Sequence, residues 1–180
     1  MSLDIYLDGI SGEQYEAIKE DLPKPDSAPA PLSSWDFFMK GYHEKLNELR
    51  KEGDKKEVLN FASRFKWKND LDRAFAESDY EALVITDADQ KIIWVNEGFS
   101  KMTGYPKKFA LNKKPSFLQG AETTKESRQV IREKLSKKKP FKTRVLNYRK
   151  DQSMYDCEVK IIPLFGERTT HYIAFEKEVI

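Results

Sequence analysis

The side chains that most often carry out chemistry are few in this sequence, which has one cysteine, Cys157, and two histidines, His43 and His171. A single cysteine excludes an intrachain disulfide framework and a multi-cysteine zinc site. Two histidines so far apart lack the spacing of metal ligands. The glycines stand singly, so the sequence has neither a phosphate-binding glycine loop nor the glycine motif of a nucleophile elbow. We therefore predict that the chain is not an enzyme and binds no metal.

The charge balance excludes further classes of partner. Lysine and arginine total 32 against 30 acidic residues, so no general positive field attracts nucleic acid or anionic lipid. No apolar run approaches the roughly 20 residues of a membrane span, and the start lacks the pattern of a signal peptide. A soluble, cytoplasmic protein without nucleic-acid or membrane partners is expected. Its 180 residues suffice for one domain and an extension.

The elements that must position any site begin after a proline-rich arm. Residues 1–33 contain four prolines close together, which favour an extended and flexible arm. Residues 34–78 form a predicted helical extension, because apolar residues recur there at helical spacing. Gly53 is expected to end the first of its two helices, and Asp54 to cap the second.

The apolar stripe of the second predicted helix changes sides midway, which predicts two packing surfaces. Its first part, with Val58 and Phe61, is expected to pack on the preceding helix. Its second part, with Trp67, Leu71 and Ala74, is expected to pack on the following sheet or on a second subunit. The extension is therefore the predicted site of homodimerisation.

From residue 79 the hydrophobic period changes from helical to alternating, which predicts strands. Two strands, a block of helices and three further strands fit one antiparallel sheet with helices on one face, an α+β architecture for residues 79–180. The predicted strands are 82–87, 91–95, 141–150, 153–164 and 169–178. The predicted helices are Asn96–Met102 with Asn96 as its cap, 107–110, 115–118, and Thr123 or Thr124 to Ser136, the last with Val130, Ile131 and Leu135 facing inward.

The stretch from Leu83 to Gly120 carries the most specific motifs, namely LVITD, IIWVN, TGY and FLQG. Its first two runs are rich in β-branched residues and are separated by a polar turn, as in a β-hairpin. This stretch resembles the opening of a PAS domain. The resemblance is to the light-oxygen-voltage (LOV) branch of that family and extends nearly to the last residue. It implies the PAS fold, with a preceding helix that serves signalling and dimerisation.

The resemblance also implies a ligand pocket, in which LOV domains hold a flavin, usually flavin mononucleotide (FMN). Gln119 lies in the matching FLQG motif, Arg132 matches an arginine that meets the flavin phosphate, and Asn147 matches an asparagine that binds the ring edge. Cys157 stands where a second strand asparagine is expected. Glu176 stands where the glutamine that senses flavin protonation is expected. These five residues are the candidate cofactor-binding residues.

Further replacements bear on the photochemistry of the LOV branch. Lys114 and Pro115 replace its Asn-Cys pair, and Ser116 replaces its second phosphate-binding arginine. Adduct formation needs a thiol beside the reactive ring carbon, and proline offers no nucleophile. The thiol of Cys157 is a weak donor and an ionised Glu176 only accepts, so neither reproduces the amide contacts. The resemblance implies a domain without the cysteinyl-flavin adduct, and no cofactor is predicted, with FMN kept as an alternative.

These observations predict a non-enzymatic sensory or interaction module in signal transduction. Its pocket would hold an unknown small molecule or be filled by its own side chains, and the module would act on a signalling partner or a second copy of itself. Two alternatives stay open. One is a flavin-binding redox or light sensor without adduct formation, and the other is a structural PAS adaptor that mediates dimerisation.

Overall fold

The computed structural model describes residues 33–179, except for the side chains of 33–39, 41, 43 and 44. The predicted flexible arm, residues 1–33, therefore lies outside the described residues apart from Ser33. The chain divides into two compact units between Asn47 and Glu48, and the described part of the first unit is helical. Of the helices in the described part of the chain, none is both long and apolar enough to cross a membrane.

Helix α1 runs from Ser33 to Phe65, so the prediction that Gly53 ends a helix is wrong. One glycine inside a helix costs only about 1 kcal/mol relative to alanine, which the packing of the following turns offsets. The helix ends instead at Lys66, which adopts the left-handed conformation with φ of 55°. This conformation lets the Trp67 amide donate to the Ala62 carbonyl at 2.9 Å, the bond of a Schellman ending.

Helix α2 is short, Leu71–Ala76, and Asp70 caps it by accepting a hydrogen bond from the Arg73 amide at 3.0 Å. The connection from α1 is fixed by Asn69, whose Oδ1 accepts from the Phe165 amide at 2.9 Å. Between residue 33 and the sheet the structure describes these two helices, and the break between them lies later in the chain than predicted.

Five antiparallel strands form one sheet, and the predicted α+β architecture is confirmed. They are β1 Ala82–Asp87, β2 Ile92–Val95, β3 Phe141–Tyr148, β4 Met154–Phe165 and β5 Thr169–Val179. Their order in the sheet is β2-β1-β5-β4-β3. The last strand is therefore the middle one, and it pairs with β1 on one side and β4 on the other.

The helical block between β2 and β3 contains short helices whose types follow the predictions. They are α3 Glu97–Thr103, α4 Lys107–Ala110, a 3₁₀ helix Pro115–Leu118 and α5 Lys125–Ser136. Asn96 caps α3 as predicted, since its Oδ1 accepts from the Phe99 amide at 2.9 Å.

Helix α5 is capped by Thr124, whose Oγ1 accepts from the Ser127 amide at 3.1 Å. Ile131 and Leu135 are partly buried, as predicted. Val130 is 39% exposed, so its predicted inward orientation is wrong. Consecutive residues of a helix lie about 100° apart around its axis, and the inward direction is already taken by Ile131.

The two faces of the sheet bury two separate apolar clusters. The inner face, which carries Ala82 and Val84, packs on the helical block. The outer face packs on α1 and α2. Members of the outer cluster are Leu83, Ile85, Ile162, Leu164, Ile173 and Phe175 from the sheet, Tyr80 just before it, and Val58, Trp67, Leu71 and Ala74 from the helices and the segment between them.

The outer cluster corrects one packing prediction and agrees with another. Val58 and Phe61 pack on the sheet, not on a preceding helix, because the described helix α1 continues through Gly53 as far as Phe65. Trp67, Leu71 and Ala74 pack on the same face of the sheet. Packing on the sheet was one of the two predicted possibilities, and packing on a second subunit was the other.

Candidate functional site

A cavity of about 670 Å³ lies between the inner face of the sheet and the helical block. The sheet supplies one wall, and the 3₁₀ helix with α5 supplies the other. The residues predicted from the sequence all line this cavity, namely Gln119, Arg132, Asn147, Cys157 and Glu176. The fold therefore brings together side chains that are widely separated along the chain.

Strand alternation directs three of these side chains to one polar wall. Cys157 lies opposite Val145 in the β3–β4 ladder, and Glu176 lies opposite Val159 in the β4–β5 ladder. Successive side chains of a strand point to opposite faces, and Asn147 is two residues from Val145. The three strands thus present an amide, a thiol and a carboxyl side by side, all buried.

Gln119 is positioned by a turn that is fixed to β3. A Cβ atom at Gly120 would come within 2.4 Å of the Tyr148 ring, so the close approach of this turn to the strand requires glycine. Thr123 Oγ1 donates to the Leu146 carbonyl at 2.6 Å and accepts from the Gly120 amide at 3.1 Å. These contacts hold Gln119 at the cavity wall.

Glu176 is a buried carboxyl, 6% exposed, whose Oε2 has no hydrogen-bond partner among the described residues. Burial raises the pKa of Glu176 to about 7, because desolvation penalises the charged form. A protonated carboxyl both donates and accepts hydrogen bonds. The expectation that Glu176 is ionised and only accepts therefore does not hold at and below neutral pH.

Cationic side chains line the other wall, namely Lys114, Arg128 and Arg132, and all three are exposed. Sequence reasoning missed Arg128. Its Nη2 donates to the Gly120 carbonyl at 2.7 Å. Arg128 lies four residues before Arg132, and helix residues four apart share a face. That spacing is the signal from which Arg128 could have been found.

The PAS domain family model matches residues 81–179, which is more than half of the 180 residues. The chain belongs to the PAS domain family. The matched range includes every strand and the whole helical block, and hence the entire cavity. The recognition of a PAS domain from the sequence is confirmed.

Known relatives of this PAS domain are signalling proteins by name. The blue-light photoreceptor of Listeria monocytogenes is 37% identical over 101 residues, which are 54% of this chain and 40% of that protein. The nitrogen fixation regulatory protein of Klebsiella oxytoca is 29% identical over 100 residues, 54% of this chain and 20% of that protein. This chain spans less than half the length of either relative. It carries a PAS sensory domain similar to those of signalling proteins.

Solved structures place the similarity in the LOV branch. The dark structure of the blue-light photoreceptor Aureochrome1 LOV superposes with a TM-score of 0.58 at 26% identity, covering 63% of this chain and 85% of that chain. A light-oxygen-voltage domain studied with a flavin analogue superposes with a TM-score of 0.55 at 28% identity, covering 63% and 87%. The LOV-like character predicted from the sequence is confirmed.

Pro115 and Cys157 both line this PAS cavity, and neither side chain is a good nucleophile there. Pro115 lines the wall on the 3₁₀ helix, at the position where the LOV resemblance expects the reactive cysteine. Cys157 is fully buried, and burial, with a smaller contribution from the Glu176 carboxyl, raises the pKa of its thiol. A protonated, buried thiol is a poor nucleophile.

The PAS core is linked to the helical extension through one buried amide. Asn96 Oδ1 accepts from the Leu83 and Phe99 amides, both at 2.9 Å. Its Nδ2 donates to Asp54 Oδ2 on α1 at 2.7 Å. Burial raises the pKa of Asp54, although the Asn96 hydrogen bond opposes the shift. One side chain thus joins α1, β1 and α3.

His171, the histidine whose side chain the structure describes, does not line the cavity. His171 is on the outer face, with its ring centroid 4.2 Å from Phe65 and 5.1 Å from Trp67. Burial lowers the pKa of His171. Across residues 33–179, no three His, Cys, Asp or Glu side chains come together as a possible metal site. His171 therefore belongs to the packing of the extension on the sheet.

Proposed function

We propose that this chain is a non-enzymatic sensory module that binds a small ring-containing ligand in its PAS cavity and acts through another protein. The observation that carries the proposal is the cavity of about 670 Å³ with the buried polar groups of Asn147 and Glu176 on its sheet wall. Cavities of roughly 300–1,000 Å³ with a few convergent polar groups are typical ligand sites. A core that only had to pack would not retain a buried carboxyl without a partner.

FMN is the ligand that the two walls fit best. The amides of Gln119 and Asn147, with a protonated Glu176, offer donors and acceptors to the edge of a ring. Arg128 and Arg132 lie on the opposite wall and offer charge-assisted hydrogen bonds to a phosphate. Arg128 compensates for the arginine that Ser116 replaces. These contacts favour flavin more strongly than the sequence alone does.

A flavin in this cavity would form no cysteinyl adduct. Pro115 has no nucleophilic atom, and the thiol of Cys157 is held protonated by burial. The signal of the bound flavin would therefore depend on its redox state or on occupancy of the cavity. This reading joins the predicted sensory module with the alternative of a flavin sensor without adduct formation.

The extension is the proposed output surface, because α1 and α2 cover the face of the sheet opposite to the cavity. Strand β5 reaches both sides. Glu176 faces the cavity, while the adjacent Phe175 packs edge to face on Phe75 of α2 with ring centroids 5.2 Å apart. A ligand that shifts β5 would act on the extension without any intermediate element.

A second candidate function is that of an adaptor that forms homodimers through α1. Leu49 of α1 is 53% exposed. An exposed large apolar side chain favours association with a second copy. Leu49→Glu is expected to shift the protein toward monomer in sedimentation, whereas Leu59→Glu on another side of α1 leaves the dimer intact. A wild-type monomer at high concentration would contradict this candidate.

The visible absorption spectrum of the purified protein, before and after excess FMN and gel filtration, tests the ligand proposal. Flavin bands are expected to travel with the protein, and illumination is expected to leave them without conversion to an adduct. Asn147→Leu and Arg132→Ala should weaken retention of FMN. Arg144→Ala, a matched change on the outward side of β3, should not. A protein that neither carries nor takes up FMN would refute the flavin assignment.

A further inference from the structure

We propose that Glu176 selects the ligand of this cavity by entering the complex as a neutral carboxylic acid that donates a hydrogen bond to an acceptor atom on the ring edge. The inference rests on the proposed function and deepens it by naming a ligand class. That class is uncharged rings whose edge presents a carbonyl oxygen or an unprotonated nitrogen. Cationic rings, which a carboxylate would attract, are excluded.

The position of Glu176 supplies the geometry for this role. It lies on the central strand, is buried, and lines the cavity. Its Oε2 has no hydrogen-bond partner among the described residues. Its backbone is fixed, since the Glu176 carbonyl accepts from the Glu81 amide at 2.8 Å. An unpaired buried polar atom carries a desolvation cost that a complementary ligand atom removes.

The groups around Glu176 do not stabilise a negative charge there. They are Tyr155 and Cys157 on β4, Tyr172 and Glu178 on β5, Glu81 before β1, and Lys114, Arg128 and Arg132 on the helical block, together with Arg149, whose charge is paired with Glu178 at 2.6 Å. Burial raises the pKa of Tyr155 and of Cys157, so both stay neutral. The three cations of the helical block are exposed, and no ion pair joins them to Glu176 within residues 33–179. Burial alone raises the pKa of Glu176 to about 7.

The consequence is that ligand binding takes up a proton at alkaline pH. Above neutrality, Glu176 of the free protein is ionised, and one proton passes from solvent to its Oε2 when the ligand binds. No bond in the ligand breaks and no electron moves. Only the protonated fraction binds, so with a pKa of about 7 the affinity falls about 30-fold from about pH 5.5 to about pH 8.5.

The experiment titrates FMN into the full chain across this pH range, with Glu176→Gln as the reference. The FMN phosphate titrates in the same range, but it does so equally with both proteins, so the ratio of the two affinities isolates the carboxyl. The ratio is expected to change about 30-fold. Calorimetry in two buffers of different ionisation enthalpy should count about one additional proton taken up by the wild type at alkaline pH. Glu133→Gln, an exposed change on α5, should behave as wild type.

Each outcome decides the inference. A ratio of wild-type affinity to Glu176→Gln affinity that rises with pH, or that does not change with pH, overturns it and leaves FMN binding in place. Loss of FMN binding at every pH by a folded Glu176→Gln also overturns it, since the amide donates as the neutral acid does. If Glu176→Gln does not fold, the proton count of the wild type with riboflavin, which has the same ring without the titrating phosphate, decides. No FMN uptake by any of the proteins refutes both the flavin assignment and the inference.

Discussion

The outer face of the sheet is closed by rings in contact, whereas the inner face leaves a cavity of about 670 Å³. On the outer face, Phe65 stacks on Trp67 with ring centroids 5.5 Å apart, and His171 lies against both. On the inner face, Asn147 and Glu176 are buried and line that cavity. The same five strands carry both sets of side chains in alternation. The outer face therefore contributes stability, and the inner face gives up stability by burying polar groups at a cavity.

The largest expected effect compares two buried leucines, one from each face. Leu164→Ala removes a fully buried side chain from the outer cluster, and the loss should be near the upper end of the about 2–5 kcal/mol range for such changes. Leu118→Ala enlarges a cavity that already exists, so its loss should be near the lower end. Chemical denaturation measures both. Equal losses would show that the two faces are packed alike.

The second prediction concerns the pH dependence of the inner face without ligand. The pKa of Glu176 rises from 4.5 in the unfolded chain to about 7 in the folded protein. Its contribution is fully present below about pH 4.5 and is lost as the pH rises through about 7, by about 3 kcal/mol in total. The free energy of unfolding of the wild type minus that of Glu176→Gln should fall accordingly. A constant difference between the two proteins would show that Glu176 titrates normally.

The third prediction concerns the hydrogen bond between Asn96, which caps α3, and Asp54 on α1. Asp54→Ala removes the 2.7 Å acceptor of Asn96 Nδ2 and leaves that donor only the longer hydrogen bond to the Glu81 carbonyl at 3.4 Å. A loss of about 1–2 kcal/mol in the free energy of unfolding is expected. Glu57→Ala, an exposed change on the same helix, serves as the control. If the two variants unfold at the same denaturant concentration, the link through Asn96 contributes nothing measurable.

The smallest effect is expected at His171, where the pH dependence of the outer face runs in the opposite direction. Burial lowers the pKa of His171 below 6.5, so its contribution is present above about pH 6.5. That contribution is lost as the pH falls through the folded pKa. His171→Gln should flatten the acid side of the stability profile and leave the alkaline side unchanged. A variant that loses stability in acid as steeply as the wild type would refute this assignment.

Local patterns sufficed to predict most of the fold. Alternating apolar residues located all five strands, and Asn96 was found as a cap because a side-chain acceptor before a helix satisfies free amides. The wrong predictions concern features that depend on packing between residues distant in sequence. The break at Gly53 did not occur, because a glycine is tolerated in a helix whose following turns are buried against a sheet. The predicted orientation of Val130 was also wrong because of packing, since Ile131 and Leu135 are the α5 residues that line the cavity.

The sequence predicted residues that line the cavity, but it did not predict the charge and the hydrogen-bonding capacity of the site. The resemblance located Gln119, Asn147 and Glu176 at the cavity, yet it compared only positions that the family uses, and so Arg128 was missed. The raised pKa of Glu176 was also missed. A pKa depends on burial and neighbouring charges, and neither can be read from the residue type.

The strand order has a consequence for how the molecule is made. β1 neighbours β2 and β5, and β4 neighbours β3 and β5, so the two hairpins share no ladder until β5 joins them. During synthesis the nascent chain exposes two incomplete ribbons, and the sheet closes only when its last strand has left the ribosome. The wall that carries Glu176 is part of that last strand. A ligand of the cavity would thus meet only a completed sheet, because the wall that carries Glu176 forms last.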